Sequence, residues 1–271
     1  MKSILLHIEH DAAMAARLQV ALDIARSTNG HITCVQTVNY NVFATGDVYG
    51  AAIAAAMPVI RENADRLRAE IEQELENEGV AWDWRFDYGM AAQRLLEASP
   101  LADVVILGPA DLGAGGRGPA SLVGDLVLKA PVPVLVVPEQ SRSFDIGAPM
   151  LVAWNGSAES AHALRAALPL LACSCKVTLA SVVEPVASAE GKLPPTEGAR
   201  YLSRHGIACE MLELPRGDAP IAETLFLAAE MRECALMVMG AYGHSRLAEM
   251  LLGGVTRKVL ADPKMPILLA H

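Results

Sequence analysis

No apolar run in this 271-residue chain approaches the ~20 residues that a membrane-spanning helix needs, so a helical span is excluded. A positive charge balance is missing too. Asp and Glu number 31 against 22 Lys and Arg, for a net charge of −9 and a pI near 5.3, which argues against nucleic acid or an anionic membrane as partner. Cysteine is sparse: five residues, an odd number without the spacing of a disulfide scaffold, fit a reducing compartment. The closest pair, Cys173-x-Cys175, has no His or Cys flanking it at zinc-site spacing and reads as two small buried hydrophobes. Also absent are a Walker loop ending in Gly-Lys-Ser/Thr, a Gly-x-Gly-x-x-Gly dinucleotide fingerprint, and any visible nucleophile–base–acid set. The opening residues, Met1 to Glu9, read as a strand with neither a long apolar region nor a small-residue cleavage site, so the expected location is cytoplasmic.

What the chain does contain is an internal repeat. Ile4-Leu5-Leu6-His7-Ile8-Glu9-His10-Asp11 matches Met150-Leu151-Val152-Ala153-Trp154-Asn155-Gly156-Ser157, and His31 to Gln36 matches Lys176 to Ser181. Val104 to Gly108 matches Leu236 to Gly240, and Pro131 to Val136 matches Lys264 to Leu269. The order is kept throughout, so two copies of one domain are expected, over residues 1–138 and 148–271. The polar, proline-bounded stretch from Pro138 to Pro149 reads as a short linker.

Within the second copy, short Val/Ile/Leu runs alternate with helical patterns: strands over 150–154, 176–182, 207–214, 235–239 and 266–270, helices over 158–171, 195–205, 218–232 and 255–262. Near-continuous apolar strands imply a parallel sheet covered on both faces. Ser157 and Asp11 are expected to cap the first helices, and Gly79 and Gly206 to stop the second ones. The fold class is α/β: two doubly wound, five-stranded parallel-sheet domains of Rossmann-like type, in tandem and related by a pseudo-twofold axis. Ligand crevices of such sheets open at the carboxyl ends of the strands.

The last quarter carries the chemistry. The run Ala235 to Met239 ends on Gly240-Ala241-Tyr242-Gly243, and nine residues later Gly253-Gly254-Val255-Thr256 opens the amphipathic segment Arg257 to Ala261. A strand running into a glycine turn and then a helix start presents several backbone N–H groups, with the positive end of the helix dipole behind them, which suits a phosphate. This Gly-x-x-Gly-x9-Gly spacing, with Val152 to Ser157, resembles the universal stress protein family, and the whole chain looks like a tandem member of it. In place of the hydroxyl residue usual after the last glycine stands Gly254, with Thr256 two positions on.

The resemblance implies a stress-response protein binding ATP or a related adenine nucleotide, with or without magnesium, in its second domain. The site it implies comprises Ala153, Asn155, Met239, Gly240, Gly243, His244, Arg246, Gly253, Gly254, Val255 and Thr256. Asn155 meets the adenine, since a carboxamide both donates and accepts; Gly240 and Gly243 approach ribose and phosphates; Gly253 to Thr256 offer N–H groups, and Thr256 a hydroxyl. Arg246 pairs with a phosphate or is simply solvated, His244 reads as a surface residue, and Trp154 reads as core packing. No catalytic residue is implied beyond slow hydrolysis by bound water. The family's last-strand pairing implies an internal pseudo-dimer, so a further homodimer is not required, and its partners would be unidentified proteins. The first copy departs from the pattern: Asp111, Ala120-Ser121 and Glu9 replace Gly243, Gly253-Gly254 and Asn155, adding negative charge, while Gly113 to Gly118 reads as a flexible connection. It is expected to be a non-binding copy. The competing reading is a nucleotide-independent adaptor or carrier of another small ligand, for which the small apolar stretch Val42 to Met57, ahead of the charged helix Pro58 to Glu78, would serve as lid or partner surface; otherwise the stretch is the first turn of that helix and its loop.

Overall fold

Short runs of Val, Ile and Leu become strands here because each can bury both of its faces. The computed structural model describes residues 1–38, 47–109, 121–183, 194–241 and 254–271. The first half runs β1 (Ser3–Ile8), α1 (Met14–Thr28), β2 (His31–Val38), α2 (Asp47–Glu76), β3 (Ala81–Tyr88), α3 (Ala91–Ala98), β4 (Val104–Leu107), α4 (Ser121–Lys129) and β5 (Val134–Val136). The second runs β6 (Met150–Ala153), α5 (Ala158–Leu171), β7 (Val177–Val183), α6 (Pro195–Arg204), β8 (Cys209–Pro215), α7 (Ile221–Glu230), β9 (Leu236–Gly240), α8 (Gly254–Ala261) and β10 (Ile267–Ala270).

All of these strands belong to one ten-stranded sheet of order β3-β2-β1-β4-β5-β10-β9-β6-β7-β8. Each half contributes the same five-strand parallel order, and the halves meet where β5 and β10 pair antiparallel, Leu135 opposite Leu268. This is the last-strand junction that the resemblance implies. Val134, Leu135, Val136, Ile267, Leu268 and Leu269 are all fully buried. At about 1.5–3 kcal/mol per buried aliphatic side chain, the seam is core rather than a loose contact. Side chains of α1, α2, α5 and α6 form the core on one sheet face. Those of α3, α4, α7 and α8 form it on the other. The edge strands read differently: in β8 exposed Glu210, Met211, Glu213 and Pro215 leave only half-buried residues between them, because nothing pairs beyond that edge.

Element ends follow local chemistry. Ser157 caps α5 by accepting the Ser160 N–H (3.2 Å). Gly79 and Gly206 adopt φ of 65° and 75° just after α2 and α6, the left-handed geometry expected of helix stops. α7 begins later than the pattern suggests, at Ile221, because Pro220 disfavours helical geometry in the residue before it.

Three expectations need correcting. Asp11 is not the cap of α1, whose first helical residue is Met14 with Ala13 in the cap position; the Asp11 carboxylate accepts the Ala13 N–H (2.8 Å) and is otherwise taken by Arg17. Cys173 and Cys175 are exposed, not buried. The charged helix begins earlier than Pro58: α2 runs unbroken from Asp47, absorbing much of the small apolar stretch, whose remaining residues lie outside the described ones. The short linker itself is packed against both halves. Phe144 is buried and its N–H reaches Asp23 of α1 (2.9 Å), while Gln140 donates to the Pro263 carbonyl (3.2 Å).

Candidate functional site

In the second half the winding of the sheet reverses between β6 and β9. β6 leads through α5 to β7 on one side, and β9 leads through α8 to β10 on the other. A crevice opens at the carboxyl ends of the strands at such a switch point. Ala153 and Met239 are register partners across this boundary; Gly240 follows directly on Met239, and Asn155 lies two residues beyond Ala153. The expected residues from the two strand ends are therefore brought together.

Their local chemistry explains why each residue type is there. Gly156 has φ of 76°, which a Cβ would disfavour. Asn155 is exposed, and its Oδ1 accepts the Ser157 N–H at 3.1 Å, so the carboxamide closes the turn into α5 while its NH2 remains to donate to a ligand. Gly240 serves packing: a Cβ there would lie 2.5 Å from the Glu159 carbonyl carbon and the Ser160 nitrogen, in the first turn of α5. The helix start thus sits tightly against the end of β9. Burial works against the Glu159 charge, yet hydrogen bonds from its own N–H and the Ser157 hydroxyl hold the carboxyl below the usual carboxylate range. That carboxylate already occupies the positive end of α5.

The start of α8 is different. Its first turn holds no acidic residue. Gly254 is exposed, with no atom within 4 Å of an added Cβ. Val255 is half-buried, and Thr256 is 4% exposed, so its side chain packs in the protein rather than standing at the solvent edge as a phosphate-facing hydroxyl would. Exposed Arg257 and Lys258 follow. Gly243, His244, Arg246 and Gly253 lie outside the described residues, as do Asp111, Ala120 and the Gly113 to Gly118 insert. Trp154 is a core residue, its ring against Gly198 of α6 (3.3 Å from an added Cβ), and its N–H donates to the Ala180 carbonyl. Its indole nitrogen and the Ser181 hydroxyl are buried polar atoms without a partner, close to the carboxyl ends of β6 and β7.

The same place in the first half is filled from within. Arg17 of α1 is fully buried; its guanidinium donates to the carbonyls of His7 and Glu9 (2.8 Å each) and to both Asp11 oxygens (2.6 and 2.7 Å). A Cβ on Gly108, the counterpart of Gly240, would meet this guanidinium at 2.7 Å. Aligning Ile4 with Met150 puts Ala163 at the position of Arg17. Burial first, and the Arg17 cation second, push His7 down to about 4. Reading the sequence missed Arg17. Its signal was a cation on the apolar stripe of α1, between Met14 and Ala21.

Among the described residues no group of three or more His, Cys, Asp or Glu could hold a metal ion, and no helix is long and apolar enough to cross a membrane. Residues 148–271 match the model of the universal stress protein family. No curated protein matches the sequence. Among solved structures, a universal stress protein from Archaeoglobus fulgidus superposes with a TM-score of 0.75 at 16% identity, over 98% of this chain and 97% of that one. A functionally unknown protein from Pseudomonas aeruginosa does so with a TM-score of 0.61 at 18% identity, over 100% and 92%. A universal stress protein solved in complex with cAMP aligns with 51% of this chain and 98% of its own, with a TM-score of 0.39 at 15% identity. For the first two, at such identities, the likeness is one of fold.

Proposed function

We propose, on the premise that residues 148–271 are a universal stress protein domain, that this chain is a stress-response protein holding one adenine nucleotide, ATP or a close relative, in its second half. The observation that carries the reading is the convergence of Asn155 and Gly240 at the switch point between β6 and β9, with an acid-free helix start in α8. The Asn155 NH2 donates to the base. The phosphates favour the N-terminus of α8, where N–H groups of Gly254, Val255 and Thr256 are available, over that of α5, where Glu159 stands. Thr256 serves through its backbone, so the hydroxyl usual in the motif is not needed for the anion contact. By the family resemblance Gly243 and Gly253 would approach the phosphates, while Gly240 lets α5 pack against the end of β9. Binding reorders that loop and thereby the contacts offered to partner proteins.

The first half takes no nucleotide, because the Arg17–Asp11 pair already fills the space and Glu9 adds charge of the wrong sign at its mouth. Calorimetric titration with magnesium and ATP should give one site per chain. Gly253→Val should abolish it with the circular dichroism spectrum unchanged. Two equivalent sites would refute the single-site reading, and no binding at millimolar ATP would favour a nucleotide-independent adaptor or a carrier of another ligand.

A further inference from the structure

Cys173 and Cys175 flank the turn in which α5 gives way to β7, and both are exposed. Residues two apart are held by the chain itself within about 7 Å, Cα to Cα, and a disulfide takes Cα separations of roughly 4.4–6.8 Å. Any departure from full extension therefore brings the two Cα atoms into range, and this segment is a turn at Cys173 and a bend at Cys175; the Cys173 thiol lies 3.5 Å from the Pro169 carbonyl, so closing the bridge requires its side chain to rotate away from α5. It is also anchored. The Cys175 N–H donates to the Gly147 carbonyl (2.8 Å), and the Ser174 hydroxyl lies 2.8 Å from the Ala148 carbonyl and 2.9 Å from that of Lys176. Ordering of this kind lowers the entropic cost of closing a small ring.

The other thiols are withdrawn from reaction. Cys34 is fully buried and pushed up to about 12, Cys234 is buried and pushed up to about 11, and half-buried Cys209 is raised, each mainly by burial. Since the thiolate is the nucleophile, those three are the slow ones. Nor do the exposed pair have a structural metal to hold: no third ligand stands with them among the described residues.

We propose that Cys173 and Cys175 form a surface dithiol that a hydroperoxide oxidises to a disulfide within the turn. One thiolate attacks the peroxide oxygen, breaking the O–O bond to leave a sulfenic acid and expel hydroxide, or the alkoxide of an organic peroxide, which takes up the proton that this first thiol lost and leaves as water or alcohol. The second thiolate attacks the sulfenic sulfur and expels hydroxide, which takes up the proton the thiol gave and leaves as water. Each sulfur loses one electron, and the peroxide takes both. The turn hangs on Gly147 and Ala148 of the linker, so closing the ring acts on the segment that joins the two halves.

The full chain, treated with hydrogen peroxide and then alkylated after unfolding, supplies the test. Peptide mass mapping should find the fragment with Cys173 and Cys175 two hydrogens lighter and unalkylated, with Cys34, Cys209 and Cys234 alkylated in full. Phenylarsine oxide, which bridges two nearby sulfurs, should bind once per reduced chain, and Cys173→Ser or Cys175→Ser should each remove that binding while leaving the melting temperature within the error of the parent. Independent oxidation of the two thiols, a link from either to Cys209, or a covalent dimer on a non-reducing gel would overturn the proposal. So would arsenical binding that survives in a single variant.

Discussion

Arg17 shows how one side chain converts a ligand crevice into core. A guanidinium with no exposed surface persists only if its charge and donors are met, and here Asp11 and two carbonyls meet them. Removing it takes the cation from the part-buried Asp11 carboxylate, which keeps only the Ala13 N–H, and a donor from each of those carbonyls. Arg17→Met should therefore cost about 3–5 kcal/mol of unfolding free energy, read as a fall in the urea midpoint at pH 7. A loss under 1 kcal/mol would mean that solvent reaches the site. His7, beside Arg17, gives the region a pH signature. Its folded value of about 4 lies below the usual 6.5, so folding favours the neutral ring. The contribution is intact above pH 6.5 and is lost as pH falls from there through about 4. At about 1.4 kcal/mol per pKa unit, the full loss is about 3 kcal/mol. His7→Ala, which installs the residue of the second half, should flatten the stability curve between pH 7 and 4 by that amount. Parallel curves for the two proteins would count against the buried-imidazole account.

Between elements, the two glycines at the ends of β9 and α8 carry opposite expectations. Gly240 faces backbone atoms of α5 at 2.5 Å, and backbone cannot swing aside as a side-chain tip can. Gly240→Ala should displace the first turn of α5 and destabilise by about 1–3 kcal/mol, lowering the melting temperature by roughly 2–4 °C per kcal/mol. Gly254 faces open space, so Gly254→Ala should leave stability within about 0.5 kcal/mol of the parent. Gly254→Asp should leave the fold in place and weaken nucleotide binding by at least tenfold in titration, because a carboxylate would then stand where the phosphates are proposed to lie. If instead the Asp variant bound as well as the parent, the phosphates would have to sit elsewhere.

For the molecule as a whole, the shared sheet has a mechanical consequence. The β5–β10 seam is as buried as any strand pair within a half, and the linker is fastened to α1 and to the segment after α8. Neither half should melt alone. Trp82 and Trp84 report on the first half and Trp154 on the second, and they are the only tryptophans. In urea, a Trp154→Phe protein and a Trp82→Phe/Trp84→Phe protein should give fluorescence transitions that coincide with their own circular dichroism transitions. Two separated steps would show that the halves are independent units joined only by chain.

Sequence by itself determined the repeat, the alternation of strands and helices in a doubly wound parallel sheet, most element boundaries and the strand-end location of Asn155 and Gly240. These rest on local periodicity, on turn residues and on connections that admit few topologies. It could not reveal that Gly240 is small to let α5 approach, or that Thr256 is buried. Nor could it reveal that the first crevice is closed by Arg17 rather than merely poor in glycine. Each of these depends on a neighbour far along the chain or on which way a short helix is rolled, and pattern along one element carries no such information. The exposure of Cys173 and Cys175 belongs with them. A thiol packs as readily as it reacts, and only the position of the turn at the end of α5 decided between the two.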